Sequence, residues 1–220
     1  MTKIVSEKLT FIQVILHILI ASIGFISVPL HILFSPEPSV SITKFTIQSN
    51  IIVTIIFTVS TFALLKKKES HMLDLCKNAA LIYMMVVLST YHLILSSGGE
   101  YSGTRIITNF TLHYLIPIFV LLNWIIFEEK KWYSYKSIVL WLSFPILYGA
   151  ISLIRGMYDG FYPYFFLNPN GHIPDGVGSY VNVALVIVGF TFVYCMLGCL
   201  LIVMNRVILK IKNTKWLENT

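Results

Sequence analysis

FIQVILHILIASIGFISVPLHILF, residues Phe11–Phe34, decides the fold of this chain. The run holds no Asp, Glu, Lys or Arg. It is also long enough for a bilayer, whose core of about 30 Å takes roughly 20 residues of helix. A signal-peptide core is shorter and precedes a small-x-small cleavage site, so this run reads as a retained membrane helix. Ser35-Pro36-Glu37-Pro38 ends it in a turn.

Five more apolar stretches follow. They cover about Ile42–Leu65, stopped by Lys66-Lys67-Lys68, and about Asn78–Ser96, stopped by Ser97-Gly98-Gly99. The next is about Thr108–Phe127, closed by Glu128-Glu129-Lys130-Lys131, and then about Ser137–Arg155, closed at Gly156. The last starts near Ser179 and fades into a basic tail after Arg206. Across 220 residues 56% are hydrophobic and 12% charged, where a soluble domain carries about 25% charged residues. Mean hydropathy is +0.79. The expectation is an all-α, polytopic integral membrane protein: one transmembrane domain over residues 1–220, a bundle of six helices. No length remains for a soluble catalytic domain, so any function belongs to the bundle or its loops.

A net charge of +6 suits nucleic acid only if the charges cluster on a soluble face. Here they sit between apolar stretches, which excludes nucleic acid as a partner and fits positive-inside topology. Thirteen of the 16 Lys and Arg fall at the N-terminus, in the loops after the second and fourth stretches, and in the tail. Only Lys44, Arg105 and Arg155 fall on the other side. The chain is therefore expected in the cell membrane with both termini cytoplasmic. Of three cysteines, Cys76 reads as part of a basic loop, and Cys195 and Cys199 share a face of the last helix. No third thiol or nearby His completes a metal site, so the pair reads as packing. No metal and no cofactor is implied.

Polar residues in hydrocarbon are costly and mark cavities or sites. In the second helix Thr46, Asn50, Thr54 and Thr58 recur every fourth residue, with Thr61 near the same face. Lys44 and Gln48 stand near its outer end. In the fourth helix Asn109, His113 and Pro117 form a second stripe, with Asn123 close to it. The third helix ends on this side with Ser89, Thr90, Tyr91 and His92, the fifth with Tyr148 and Arg155, and the sixth starts there with Asn182. The polar groups thus gather in the outer half, under an aromatic loop from Tyr158 to Tyr180, while the cytoplasmic half reads as Leu, Ile, Val and Phe packing. Thr54, Thr58 and Thr61 read as bonding their own i−4 carbonyls. His31 and His92 read as solvated, and His17 as structural.

A threonine hydroxyl needs a base to become a nucleophile, and neutral imidazole is the usual one. Thr46 and His113 both lie near the outer ends of their helices, at one depth. Lys44, Gln48, Asn50, Asn109 and Arg155 are candidates to bind substrate or to donate to an acyl oxyanion. The set suits attack on a lipid ester.

The run Lys44-Phe45-Thr46-Ile47-Gln48-Ser49-Asn50 resembles the second-helix signature of the androgen-induced-gene superfamily, which includes the androgen-dependent TFPI-regulating protein. Leu112-His113-Tyr114-Leu115-Ile116-Pro117 with Asn123-Trp124 is similar to its fourth helix. Trp141-Leu142-Ser143-Phe144-Pro145-Ile146-Leu147-Tyr148, Arg155-Gly156 and Tyr162-Pro163-Tyr164 continue the likeness, which spans about residues 10 to 210. The resemblance implies a six-helix membrane protein. The animal members are threonine hydrolases of fatty acid esters of hydroxy fatty acids, and it implies Thr46 as nucleophile and His113 as its partner. Gln48-Ser49-Asn50 after Thr46 looks like an uncharacterised bacterial branch, for which no substrate is implied. Membrane lipids are the expected surroundings and a lipid ester the expected substrate. The rival expectation is a non-enzymatic protein: a small-solute transporter, which needs a polar path through the cytoplasmic half, or a lipid-binding scaffold.

Overall fold

A computed structural model describes residues 3–68, 70–96, 101–128 and 130–218, with side chains from 8 to 211. It is all-α, with six helices long and apolar enough to cross a membrane and no strand among the described residues. These are α1 (Lys3–Leu33), α2 (Phe45–Leu65), α3 (His71–Leu95), α4 (Thr104–Ile126), α5 (Ser137–Asp159) and α6 (Tyr180–Glu218). The chain divides into two compact units, Met1–Glu128 with α1 to α4 and Glu129–Thr220 with α5 and α6.

Several helix ends differ from the hydropathy reading. α3 starts seven residues early, at His71, because Ser70 Oγ accepts a hydrogen bond from Leu73 N–H (3.3 Å) and caps it. His71, Cys76 and Lys77, expected in a loop, are therefore helical. α2 begins at Phe45 rather than Ile42, since a short helical turn, Pro38–Ser41, comes first and Lys44 is extended. α5 passes Gly156 and stops at Gly160, whose φ of 75° makes it the left-handed C-cap. α6 continues past Arg206 to Glu218, with no Gly or Pro to stop it. The Ser97-Gly98-Gly99 stop and Glu129 lie outside the described residues.

In the first unit α1 lies along α2. A Cβ on Gly24 would fall 2.0 Å from Thr54 Oγ1, so only glycine permits this approach. Thr54, Thr58 and Thr61 each donate to their own i−4 carbonyls, at 2.7, 2.7 and 2.8 Å. The half of this unit away from Lys44 is not plain apolar packing, which corrects the expectation. His17, fully buried, places Nε2 2.8 Å from Asn123 Oδ1. Asn123 Nδ2 donates to Glu128 Oε1 (2.9 Å), and Lys77 Nζ joins Glu128 Oε2 to Asp74 (3.2 Å). This is the Lys77 end; Asn123 belongs to it rather than to the stripe of Asn109 and His113.

The second unit is built differently. Gly198 brings α6 against Ile138 of α5, where a Cβ would meet Ile138 Cγ1 at 3.1 Å. Arg206 Nη2 donates to the Tyr133 carbonyl (2.9 Å), with its guanidinium over the Trp132 and Tyr135 rings. The loop between the helices closes on itself: Val177 N–H donates to the Asn168 carbonyl (2.8 Å), and Asn168 Nδ2 donates to the Asp175 carbonyl (2.9 Å). Val139, Ile154 and Val188 are exposed along α5 and α6. Lipid tails are as apolar as these side chains, so such faces carry no cost in a bilayer.

Candidate functional site

In the first unit a π turn within α4, Thr111–Leu115, contains His113 and packs against α1, α2 and α3. α3 finishes as a second π turn over Tyr91–Leu95. Tyr91 and His113 stack with ring centroids 3.9 Å apart. Such single-turn widenings concentrate at functional sites.

Pro117 accounts for one of them and for Asn50. Within the π turn Ile116 N–H donates to the Thr111 carbonyl, five residues back. The next bond in that register belongs to residue 117, and proline has no N–H. The Leu112 carbonyl is thus left open, and Asn50 Nδ2 of α2 donates to it (3.3 Å) while also donating to the Thr46 carbonyl (2.8 Å). Asn50 therefore ties the Thr46 turn to the His113 turn. Asn50→Leu is expected to cost about 2 kcal/mol, the price of a buried carbonyl losing its donor. In a Pro117→Ala background, where an N–H becomes available, that cost falls by about 1 kcal/mol in a double-mutant cycle of thermal unfolding. Equal costs in both backgrounds refute the link.

His113 is buried, and its Nδ1 lies 2.9 Å from the Asn109 carbonyl. A carbonyl only accepts, so Nδ1 carries the proton and Nε2 of the neutral ring holds the lone pair. Asn109 Nδ2 donates to Tyr91 Oη, which leaves the phenol hydrogen free to donate. Thr46 is buried in the first turn of α2, and among the described residues its hydroxyl has no partner. It differs in this from Thr54, Thr58 and Thr61, whose hydroxyls are spent on their own helix. No hydrogen bond joins Thr46 Oγ1 to His113; the tie between them is Asn50. Lys44, at the N-cap of α2, makes no side-chain cap, so the first-turn N–H groups of Thr46 and Ile47 have no upstream acceptor.

The expected donors divide. Asn50 spends its amide hydrogens on two carbonyls, and Asn50 Oδ1 and Asn109 Oδ1 are buried without partners among the described residues. Gln48 lies about 200° around α2 from Thr46 and points its Nε2 at the Ile42 carbonyl (3.4 Å). Arg155 belongs to the second unit, where it pairs with Asp159 (3.0 Å) and covers the Phe161 ring. The first-turn N–H groups, Lys44 and Tyr91 are the donors that the fold leaves open.

Three participants were not singled out from sequence. His31, expected to be solvated, is buried, with Nδ1 2.9 Å from Thr108 Oγ1 and Nε2 3.3 Å from Arg105 Nη2. Its spacing of fourteen residues from His17 puts both within about 40° on one face of α1, a signal present in the sequence. Arg105 extends the stripe of Asn109 and His113 by one turn, also a readable signal. Tyr91 had none. His92 is exposed, with Nδ1 3.1 Å from Tyr114 Oη. No group of three His, Cys, Asp or Glu able to hold a metal occurs among the described residues. No family model, curated protein or solved structure matches this chain.

Proposed function

We propose that this chain is a multi-pass protein of the cell membrane, with both termini cytoplasmic, that hydrolyses acyl esters of membrane lipids through Thr46 and His113. The observation that carries the reading is the pairing of roles at one helix level. A buried imidazole has its lone pair fixed on Nε2 by the Asn109 carbonyl, and the unspent hydroxyl of Thr46 belongs to the turn that Asn50 ties to it. The resemblance to the androgen-induced-gene superfamily supports the same two residues, and the distribution of Lys and Arg supports the topology.

The step runs as follows. His113 Nε2 takes the Thr46 proton as Oγ1 bonds to the acyl carbon. The carbonyl π electrons move to oxygen, which the N–H groups of Thr46 and Ile47 stabilise together with the positive end of the helix dipole. The ester C–O bond breaks, the alcohol leaves with the proton from His113, and an acyl-threonine remains. Water, deprotonated by the same nitrogen, releases the fatty acid and restores Thr46. Labelling by a fluorophosphonate tests this. The wild type is labelled, whereas His113→Ala and Thr46→Ala are not; an adduct mapped to another residue refutes the assignment.

The buried chain at the Lys77 end favours a second reading, a small-solute transporter, because it places polar groups in the half expected to have none. Uptake of labelled amino acids, sugars or phosphate into proteoliposomes, lost in Lys77→Met, would select it over the hydrolase.

A further inference from the structure

Beside the Thr46 turn, Lys44 and Arg105 carry positive charge that no acid of the described residues neutralises. Among the described residues, Arg105 is fixed by neutral groups alone. Its Nη2 donates to His31 Nε2 (3.3 Å), His31 Nδ1–H donates to Thr108 Oγ1 (2.9 Å), and the Thr108 hydroxyl donates to the Arg105 carbonyl (3.4 Å). Tyr101 lies under the guanidinium at 4.9 Å. Arg105 Nε is buried and has no partner among the described residues. Neither Lys44 nor Arg105 forms an ion pair among the described residues. Burial pushes the Lys44 ammonium below its ordinary range, and the charge of Arg105 adds to that push; Glu37, the acid that opposes it, is exposed. The uncapped N-terminus of α2 adds positive potential to the same corner.

Lys44 is the N-cap of α2 and Arg105 lies in the first turns of α4, two elements that both pack on α1. These cations, with no acid paired to them among the described residues, call for an anion. A carboxylate brings one charge and two oxygens. A phosphate monoester brings about −1.5 to −2 and three acceptor oxygens, enough for Arg105 Nε–H and the Lys44 ammonium together. We propose that Lys44 and Arg105 form a phosphate subsite, and that the ester presented to Thr46 belongs to a phosphate-bearing lipid of the lysophosphatidate type. Lys44 precedes Thr46 by two residues, so a headgroup held there sets the acyl carbonyl at the first turn of α2. The inference rests on the Thr46/His113 reading for the reaction, but the subsite itself is tested by binding.

Binding is measured by thermal shift on the Thr46→Ala protein in neutral detergent, with 1-oleoyl-lysophosphatidate, monoolein and inorganic phosphate as probes. Lysophosphatidate is expected to bind at least tenfold more tightly than monoolein, with phosphate competing. Arg105→Gln and Lys44→Gln are each expected to lose about tenfold; Lys44→Gln, which leaves the His31–Thr108 circuit intact, decides the matter if Arg105→Gln does not fold. Equal affinity for the two lipids, phosphate binding without a preference for lysophosphatidate, or unchanged affinity in Lys44→Gln overturns the subsite. Preferential binding with no turnover by the wild type overturns the Thr46 reading and leaves the subsite standing.

Discussion

Under the proposed hydrolase reading, Thr46→Ala is expected to lower turnover of a long-chain lipid ester by about 10⁴-fold or more, the scale on which removing a catalytic nucleophile acts. The expectation is specific to this threonine. Thr54 and Thr58 occupy the same stripe, yet their hydroxyls donate to the Asn50 and Thr54 carbonyls. Thr54→Ala and Thr58→Ala therefore keep rates within a few-fold of wild type. Thr46→Ser preserves the hydroxyl and retains measurable turnover. Thr46→Ala removes the hydroxyl and the γ-methyl, while the backbone carbonyl that accepts from Asn50 stays in place, so the loss of stability in detergent is limited to about 1 kcal/mol, the worth of one buried methyl. Initial rates on the purified variants decide it. A Thr46→Ala protein that turns over like wild type sinks the nucleophile, and equal losses in all three alanine variants point to packing instead.

Glu128→Ala is expected to destabilise the first unit by about 3 kcal/mol. Its carboxylate accepts from Asn123 Nδ2 through one oxygen and holds Lys77 through the other, and all three side chains are mostly buried. Removal strands a buried amide donor and leaves Lys77 with Asp74 as its remaining partner among those described, and losing one member of a buried pair costs about 3–5 kcal/mol. Retention of Asp74 (3.2 Å) keeps the loss at the low end. Glu128→Gln, which can still accept from Asn123, recovers part of it. Thermal unfolding in detergent reads the change, and a shift no larger than for an exposed substitution such as Lys68→Ala shows that the chain does not brace this end.

Much of the site was readable from sequence because helical periodicity is local. A repeat of four put Thr46, Asn50 and Thr54 on one face, and the buried side of α2 is that face. The same rule would have added Arg105 to the stripe of Asn109 and His113. What periodicity cannot reach is the partner across a helix gap. Asn50 looked like a donor to substrate, but its amide answers a carbonyl opened by Pro117 sixty-seven residues away. Glu128 read as part of the charged run that closes the fourth stretch, and Lys77 as a basic residue of the loop after the second. They are a buried pair because Ser70 starts α3 early and carries Lys77 into the helix.

By itself, then, the sequence determined six apolar helices and their polar stripes, because spanning length and 3.6-residue periodicity are properties of each segment alone. Only the tertiary structure decided what each polar group does. A side chain in hydrocarbon satisfies its hydrogen bonds with whatever lies nearest in space, which, among the described residues, left Thr46 an open hydroxyl, gave His113 a fixed tautomer and kept Arg105 without an acid.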